Sequence, residues 1–148
     1  MSQHPIKILL VEDNLGDILL TEEALRECKF PTDLVVKKDG NEALVYLIQQ
    51  QKNGQTELPN IILLDINLPK KNGHEVLESV KNHPDLKHIP IIVLTTSSSE
   101  WDILQAYREH CNSYIVKPVD AGEFFKITSV LEDFWINIAS LPNKKPTS

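Results

Sequence analysis

The sequence predicts an α/β fold, in which five parallel strands form one sheet with helices on both faces. Short apolar runs alternate five times with longer segments whose apolar residues recur at helical spacing. Charged or hydroxyl side chains follow most of the predicted strands, at the edge where open parallel sheets bind ligands. Because each strand is followed by a helix, consecutive strands are expected to run parallel.

The first half of the chain contains three predicted strands and two predicted helices. Ile6–Val11 is apolar except for Lys7, a pattern typical of a strand buried on both faces. Asn14 offers an N-cap for the helix that follows, and Gly54 and Pro59 indicate a polar loop over 52–60. The predicted strands are 6–11, 34–36 and 61–64, and the predicted helices are 15–28 and 42–51.

The second half repeats this alternation and ends in a long helix. Pro84 and Pro90 bracket the connector between the third helix and the fourth strand. The predicted helices are 73–82, 100–109 and 121–138, and the predicted strands are 91–94 and 114–116. We therefore expect one domain over 1–148, with a core at about 5–138 and a C-terminal tail over 139–148 that is polar from 143 onward.

Composition excludes several classes of protein. With 21 acidic and 15 basic residues the net charge is −6, whereas a general nucleic-acid binder is expected to be basic. The apolar runs are strand-sized, so neither a membrane span nor a signal peptide is predicted. Cys28 and Cys111 lack metal-ligand spacing and favour reduced thiols and a cytoplasmic location. The five histidines share no metal-ligand spacing either and are expected at the surface.

Side chains with phosphoryl-transfer chemistry occur at four strand ends. Glu12 and Asp13 follow the first strand, Asp65 the third, Thr95 the fourth and Lys117 the fifth. In the flavodoxin-like strand order 2-1-3-4-5 the first and third strands are neighbours, so the three carboxylates are expected to converge. Such oxygens suit Mg²⁺, and an aspartate beside Mg²⁺ can act as a nucleophile toward phosphorus. Any one of these residues alone is more often structural, but the joint pattern rarely arises by chance.

Five sequence blocks resemble the motifs of response-regulator receiver domains of two-component signalling. The blocks are 9–13 (LLVED), 62–69 (ILLDINLP), 72–73 (NG), 93–97 (VLTTS) and 114–118 (YIVKP). The resemblance covers about residues 5–138 and implies a (βα)5 fold. It implies that Asp65 accepts a phosphoryl group from a histidine kinase and that Lys117 contacts this group. It also implies that Asp13 and Asp65 bind Mg²⁺ directly, Asn67 through its backbone carbonyl and Glu12 through water.

The same resemblance implies a switch pair, in which Thr95 moves toward the phosphate and Tyr114 turns inward. It further implies a cis peptide at 117–118, within the tolerance of X–Pro bonds. One block departs from the family, since 110–113 reads HCNS where glycine or alanine is common. Asn112 is expected to adopt the left-handed conformation in place of glycine. Ser97 stands among the positions that tune dephosphorylation in the family.

The last predicted helix is apolar on more than one face, so a second surface must cover it. We expect a homodimer through the fourth helix, fifth strand and fifth helix; the alternative is that the tail over 139–142 folds back. The candidate contact residues are Tyr107, Phe124, Phe134 and Trp135. Three features resemble the phytochrome-associated response regulators of cyanobacteria: the ending with 134–135 (FW) and 141–142 (LP), the polar insert before the third strand, and the 94–97 block (LTTS). This narrower resemblance implies a phytochrome-type histidine kinase as phosphodonor.

The sequence thus predicts a stand-alone response regulator that signals through protein contacts and catalyses only its own phosphorylation and dephosphorylation. A Mg²⁺-dependent phosphatase with an aspartyl nucleophile is a rival interpretation. It usually needs a second acid two residues after the nucleophile, where Asn67 stands. A purely structural domain is a third, and it conflicts with the complete set of acidic, hydroxyl and lysine residues.

Overall fold

A computed structural model describes residues 5–28, 30–117, 127–129 and 131–133. Five strands form one parallel sheet in the order β2-β1-β3-β4-β5, which confirms the fold predicted from the sequence. The strands are β1 (Ile6–Val11), β2 (Thr32–Lys37), β3 (Ile61–Leu64), β4 (Ile91–Thr95) and β5 (Ser113–Val116).

Four helices connect the strands, and each begins at a side-chain cap. They are α1 (Leu15–Arg26), α2 (Gly40–Asn53), α3 (Gly73–Lys81) and α4 (Glu100–Arg108). The caps Asn14, Asp39, Asn72 and Ser99 each accept a hydrogen bond from the backbone amide three residues later. Residues 127–129 and 131–133 are also helical, within the segment predicted as the last helix. The rest of that helix, Pro118 and the tail lie outside the described residues.

The apolar core has two layers, one on each face of the sheet. On one face, Leu9 and Leu64 pack with residues of α2, α3 and α4, among them Leu47 and Leu77. On the other face, the core contains residues of α1 together with Ile127 and Leu131. All side chains of β3 and β4 are buried, as expected for central strands of a sheet covered on both sides.

Two details differ from the sequence prediction. β2 is longer than the predicted 34–36, because its polar ends pair with β1 along the full register from Ile6↔Thr32 to Val11↔Lys37. The predicted loop over 52–60 contains the end of α2 and one 3₁₀ turn, Gln55–Glu57.

The left-handed residue before β5 is His110 (φ 70°), so the expectation for Asn112 is wrong. Asn112 instead pairs with the start of β4: its amide donates to the Ile91 carbonyl at 2.8 Å, and its side-chain oxygen accepts from the Ile91 amide at 2.9 Å. His110 thus adopts the left-handed conformation after α4, and Asn112 fixes the start of β5 against β4. Within the described part of the chain, no helix is long and apolar enough to cross a membrane.

Candidate functional site at the carboxyl edge of the sheet

The parallel register brings the predicted site residues of β1 and β3 together. Val11 pairs with Leu64, and the Asp65 amide donates to the Val11 carbonyl at 3.0 Å. Asp65 therefore follows its strand directly beside Glu12. In the half of the sheet formed by β4 and β5, the Lys117 amide donates to the Thr95 carbonyl at 2.7 Å, which continues the pairing of these two strands.

Three carboxylates converge at this edge. Glu12, Asp13 and Asp65 each offer an oxygen, and these oxygens all lie within 4.8 Å of one another. Glu12 and Asp65 are buried, whereas Asp13 is exposed. Burial raises the pKa of Glu12 above its ordinary value; the charge of Asp65 adds to this rise, and bonds from Lys117 and Asn14 oppose it. The three carboxylates repel one another when all are ionised, and a divalent cation among their oxygens would relieve this repulsion.

The Lys117 ammonium lies among the carboxylates. It donates to Glu12 Oε1 and to Asp17 Oδ2, the latter at 2.9 Å, and it lies 3.6 Å from Asp65 Oδ2. Burial alone lowers the pKa of Lys117, but the bonds to Glu12 and Asp17 and the charge of Asp65 outweigh burial and raise it. The site thus holds a fixed positive charge beside the carboxylate of Asp65.

Asp17 is a site residue that the sequence analysis missed. It lies in the first turn of α1, where an acidic residue ordinarily serves the helix N-terminus. The sequence offered no signal for a role at the site, because helical periodicity does not specify the partner of a polar side chain. The contact itself depends on Lys117, one hundred residues away.

The loop after β3 is positioned by backbone contacts. The Asn67 amide donates to Asp65 Oδ1 at 3.1 Å, and the Gly73 amide donates to the Ile66 carbonyl at 2.8 Å. A Cβ on Gly73 would overlap the Asp65 carbonyl and lie 2.6 Å from Ile66 Cα. Only glycine therefore lets the start of α3 approach the residue after β3 so closely.

The two residues of the predicted switch pair both contact Ser97. Thr95 is fully buried, and its hydroxyl accepts from the Ser97 amide at 3.3 Å. The Tyr114 hydroxyl donates to the Ser97 carbonyl at 2.9 Å. The Ser97 hydroxyl in turn donates to Asp102 Oδ2 on α4 at 2.5 Å. Thr95, Tyr114 and α4 are thus joined through one residue.

His74 is not the free surface residue that was expected. Its side chain is only 11% exposed, because α3 packs it against α4. Nε2 lies 2.8 Å from Asp102, Nδ1 lies 3.2 Å from Glu109, and the ring meets Trp101 edge-on. The sequence offered no signal for this contact, because the carboxylates that His74 contacts are about thirty residues away in the chain, at α4.

The candidate dimer surface is described only in part. Tyr107 is 49% exposed on α4, and its hydroxyl accepts from the Tyr114 amide at 3.2 Å. Trp101 and Leu104, on the same helix, are exposed as well. The other three candidate residues lie outside the described residues: Phe124, Phe134 and Trp135.

Comparison with known proteins identifies the family. The response regulator receiver domain model matches residues 8–129. The chain belongs to this family. The response regulator Rcp1 of Synechocystis sp. is 43% identical over 141 residues, which cover 95% of this chain and 96% of Rcp1.

Solved structures agree with this assignment. The phosphorylated cyanobacterial phytochrome response regulator RcpA is 45% identical with a TM-score of 0.77, and the match covers 94% of this chain and 99% of RcpA. The Mn²⁺-bound form of Rcp1 is 43% identical with a TM-score of 0.76, covering 93% of this chain and 99% of Rcp1. The resemblance to cyanobacterial phytochrome response regulators inferred from the sequence is therefore confirmed.

Proposed function

We propose that this protein accepts a phosphoryl group on Asp65 from a histidine kinase and signals by changing its contacts with other proteins. One observation carries the proposal: the Asp65 carboxylate lies 3.6 Å from the Lys117 ammonium and within the cluster formed with Glu12 and Asp13. A nucleophilic carboxylate needs charge neutralisation to approach a phosphoryl group, and these neighbours supply both a cation and metal-binding oxygens.

In the proposed reaction, a carboxylate oxygen of Asp65 attacks phosphorus. A P–O bond forms as the bond from phosphorus to the imidazole nitrogen of the kinase phosphohistidine breaks, and the nitrogen keeps the bonding electrons. Lys117 then donates to a phosphoryl oxygen, and the Thr95 hydroxyl donates to another. The added negative charge and acceptor oxygens on Asp65 draw the Thr95 hydroxyl away from Ser97, and Tyr114 follows because it is bonded to the same residue.

We propose Mg²⁺ as the cofactor, held by the carboxylates of Glu12, Asp13 and Asp65 and the backbone carbonyl of Asn67, with water between Glu12 and the ion. When bound, the ion neutralises charge on the transferring phosphoryl group. The set of hard oxygen donors supports this assignment, and so does the Mn²⁺ bound by the relative Rcp1. Titration with Mg²⁺ should raise the melting temperature, and Asp13→Asn should weaken this effect.

The phosphorylation proposal is tested with acetyl phosphate and Mg²⁺, followed by intact mass spectrometry. We expect one added phosphoryl group, released acetate and no labelling of Asp65→Asn. Asp33→Asn, which removes an exposed carboxylate from β2, is the matched control and should label normally. An unlabelled wild-type protein, or a labelled Asp65→Asn variant, would contradict the assignment.

The kinase is proposed to be of the phytochrome type, as the name of RcpA, a phytochrome response regulator, suggests for that protein. Phosphotransfer profiling against a panel of purified histidine kinases tests this. The fastest transfer is expected from a phytochrome-type kinase, and faster transfer from an unrelated kinase would contradict it.

The cytoplasmic location and the absence of nucleic-acid binding stay predictions from the sequence.

A homodimer through α4, β5 and the last helix is also proposed. Three apolar side chains exposed along α4 support it: Trp101, Leu104 and Tyr107. Light scattering should give the mass of a dimer, and Tyr107→Glu should shift it toward a monomer. Leu19→Glu, at an exposed leucine of α1, is the control and should leave the mass unchanged. A monomeric wild-type protein in both phosphorylation states at high concentration would contradict the proposal.

A further inference from the structure

The Lys117 ammonium rests on the α1 side of the site. An ammonium has three N–H donors, and two of them reach Glu12 and Asp17. Asp65 Oδ2, at 3.6 Å, is beyond hydrogen-bond distance. The side chain of Lys117 is only 9% exposed, so water has little access to replace a lost partner. In this structure Asp17 and Glu12, rather than Asp65, hold the ammonium.

Asp17 is itself held firmly in place. Its amide donates to the Asn14 cap at 2.9 Å, and its carbonyl accepts from the Thr21 hydroxyl at 2.9 Å. A negative charge in the first turn of a helix is also favourable. The carboxylate is therefore presented to Lys117 from a rigid element, not from a mobile loop.

We propose that Asp17 is a positioning residue that restrains Lys117 away from Asp65 in the resting protein and thereby sets the rate of phosphoryl acceptance. The inference rests on the proposed function, in which Asp65 receives the phosphoryl group. To contact a phosphoryl oxygen, Lys117 must loosen its bond to Asp17. Removal of the Asp17 charge therefore frees the ammonium for the phosphoryl group and speeds the reaction.

The test measures the phosphorylation rate with acetyl phosphate as a function of Mg²⁺ concentration. Asp17→Asn and Asp17→Ala should raise the rate at saturating Mg²⁺ by about threefold, the factor expected for losing one partly exposed ion pair. Asp17→Glu keeps the charge and should restore the wild-type rate. Glu23→Gln, which removes an exposed charge elsewhere on α1, is the matched control and should also leave the rate unchanged.

A rate that is unchanged or slower in Asp17→Asn would overturn the proposal. So would a change confined to the Mg²⁺ concentration at half-maximal rate, because this would mean that Asp17 acts only through the charge of the metal site. An equal increase in Glu23→Gln would also overturn it, since the effect would then be one of overall charge.

A crystal structure of Asp17→Asn separates this inference from the proposed function. We expect the Lys117 ammonium within hydrogen-bond distance of Asp65, and an ammonium still beside position 17 would overturn the inference whatever the kinetics. If wild-type protein takes no phosphoryl group, or if Asp65→Asn takes one, it is the proposed function that fails. The ammonium position in the variant still decides whether Asp17 restrains Lys117.

Discussion

The imidazole of His74 on α3 lies 2.8 Å from the carboxylate of Asp102 on α4. Its other nitrogen faces Glu109, so one side chain joins α3 to both ends of α4. A neutral imidazole donates from one nitrogen only, whereas the protonated ring donates to both carboxylates. The contact is therefore both a packing interaction and a polar link between neighbouring helices.

Replacing His74 with alanine should destabilise the protein by about 1–2 kcal/mol, because it removes the contacts of a mostly buried imidazole with Asp102 and Glu109. Urea denaturation at neutral pH measures the free energy of unfolding. His88→Ala, at an exposed position, is the matched control and should cost less than about 0.5 kcal/mol. Equal costs for the two variants would show that the link contributes nothing.

Ser97→Ala should change how stability depends on pH. The hydrogen bond from Ser97 is the largest cause that lowers the pKa of Asp102 below its ordinary value of 3.8; burial opposes the shift, and His74 adds to it. Because the folded pKa is depressed, this stabilisation is complete above the unfolded value and is lost as pH falls through the folded value.

The Ser97→Ala variant should accordingly be less stable than wild type at pH 6, and the difference should shrink in the acid range below 3.8. Denaturation curves recorded across this range, with Asp102 followed by carboxyl NMR, check the expectation. A difference in stability that is independent of pH would contradict it.

Gly73→Ala should disturb the residue after β3. The added methyl group would overlap the Asp65 carbonyl, so the start of α3 must shift, at a cost of about 1–3 kcal/mol. We expect a lower melting temperature and slower labelling by acetyl phosphate. In the control variant Gly16→Ala, the methyl group meets only the Asn14 side-chain oxygen, at 3.2 Å. Similar behaviour of the two variants would mean that the close approach at Gly73 is not required.

Cys111 should resist alkylation in the folded protein. Burial raises the pKa of its thiol to about 11, so only about one thiol in a thousand is ionised at pH 8. Cys28 is partly exposed and should react first with iodoacetamide, as peptide mass spectrometry will show. Both should react at similar rates in urea. Faster labelling of Cys111 in the native protein would contradict its burial.

The site could be predicted from sequence as far as it depends on strand ends. Asp65 and Lys117 follow apolar runs, and the parallel topology then brings them to one edge. Asp17 and His74 could not be predicted, because their contacts depend on how α1 and α3 are rotated against distant elements. Helical periodicity indicates which side of a helix is buried, but it does not specify which polar side chain of another element lies against that side.

The same limit explains the error at 110–113. Propensity favours a left-handed asparagine, but the Asn112 amide and side chain both pair with Ile91, and the left-handed turn falls at His110 instead. The hydrogen bonds to Ile91, on a distant strand, therefore determine that His110 rather than Asn112 adopts the left-handed conformation.

Ser97 has a consequence for how the site tolerates natural variation. Its backbone amide and backbone carbonyl make the bonds to Thr95 and Tyr114, whereas its side chain donates to Asp102 and accepts from the Ser99 amide at 3.3 Å. Exchange of the serine for alanine removes both side-chain bonds and leaves the two main-chain bonds in place. Evolution can therefore adjust the attachment of α4 at this position while the coupling of Thr95 to Tyr114 is inherited unchanged.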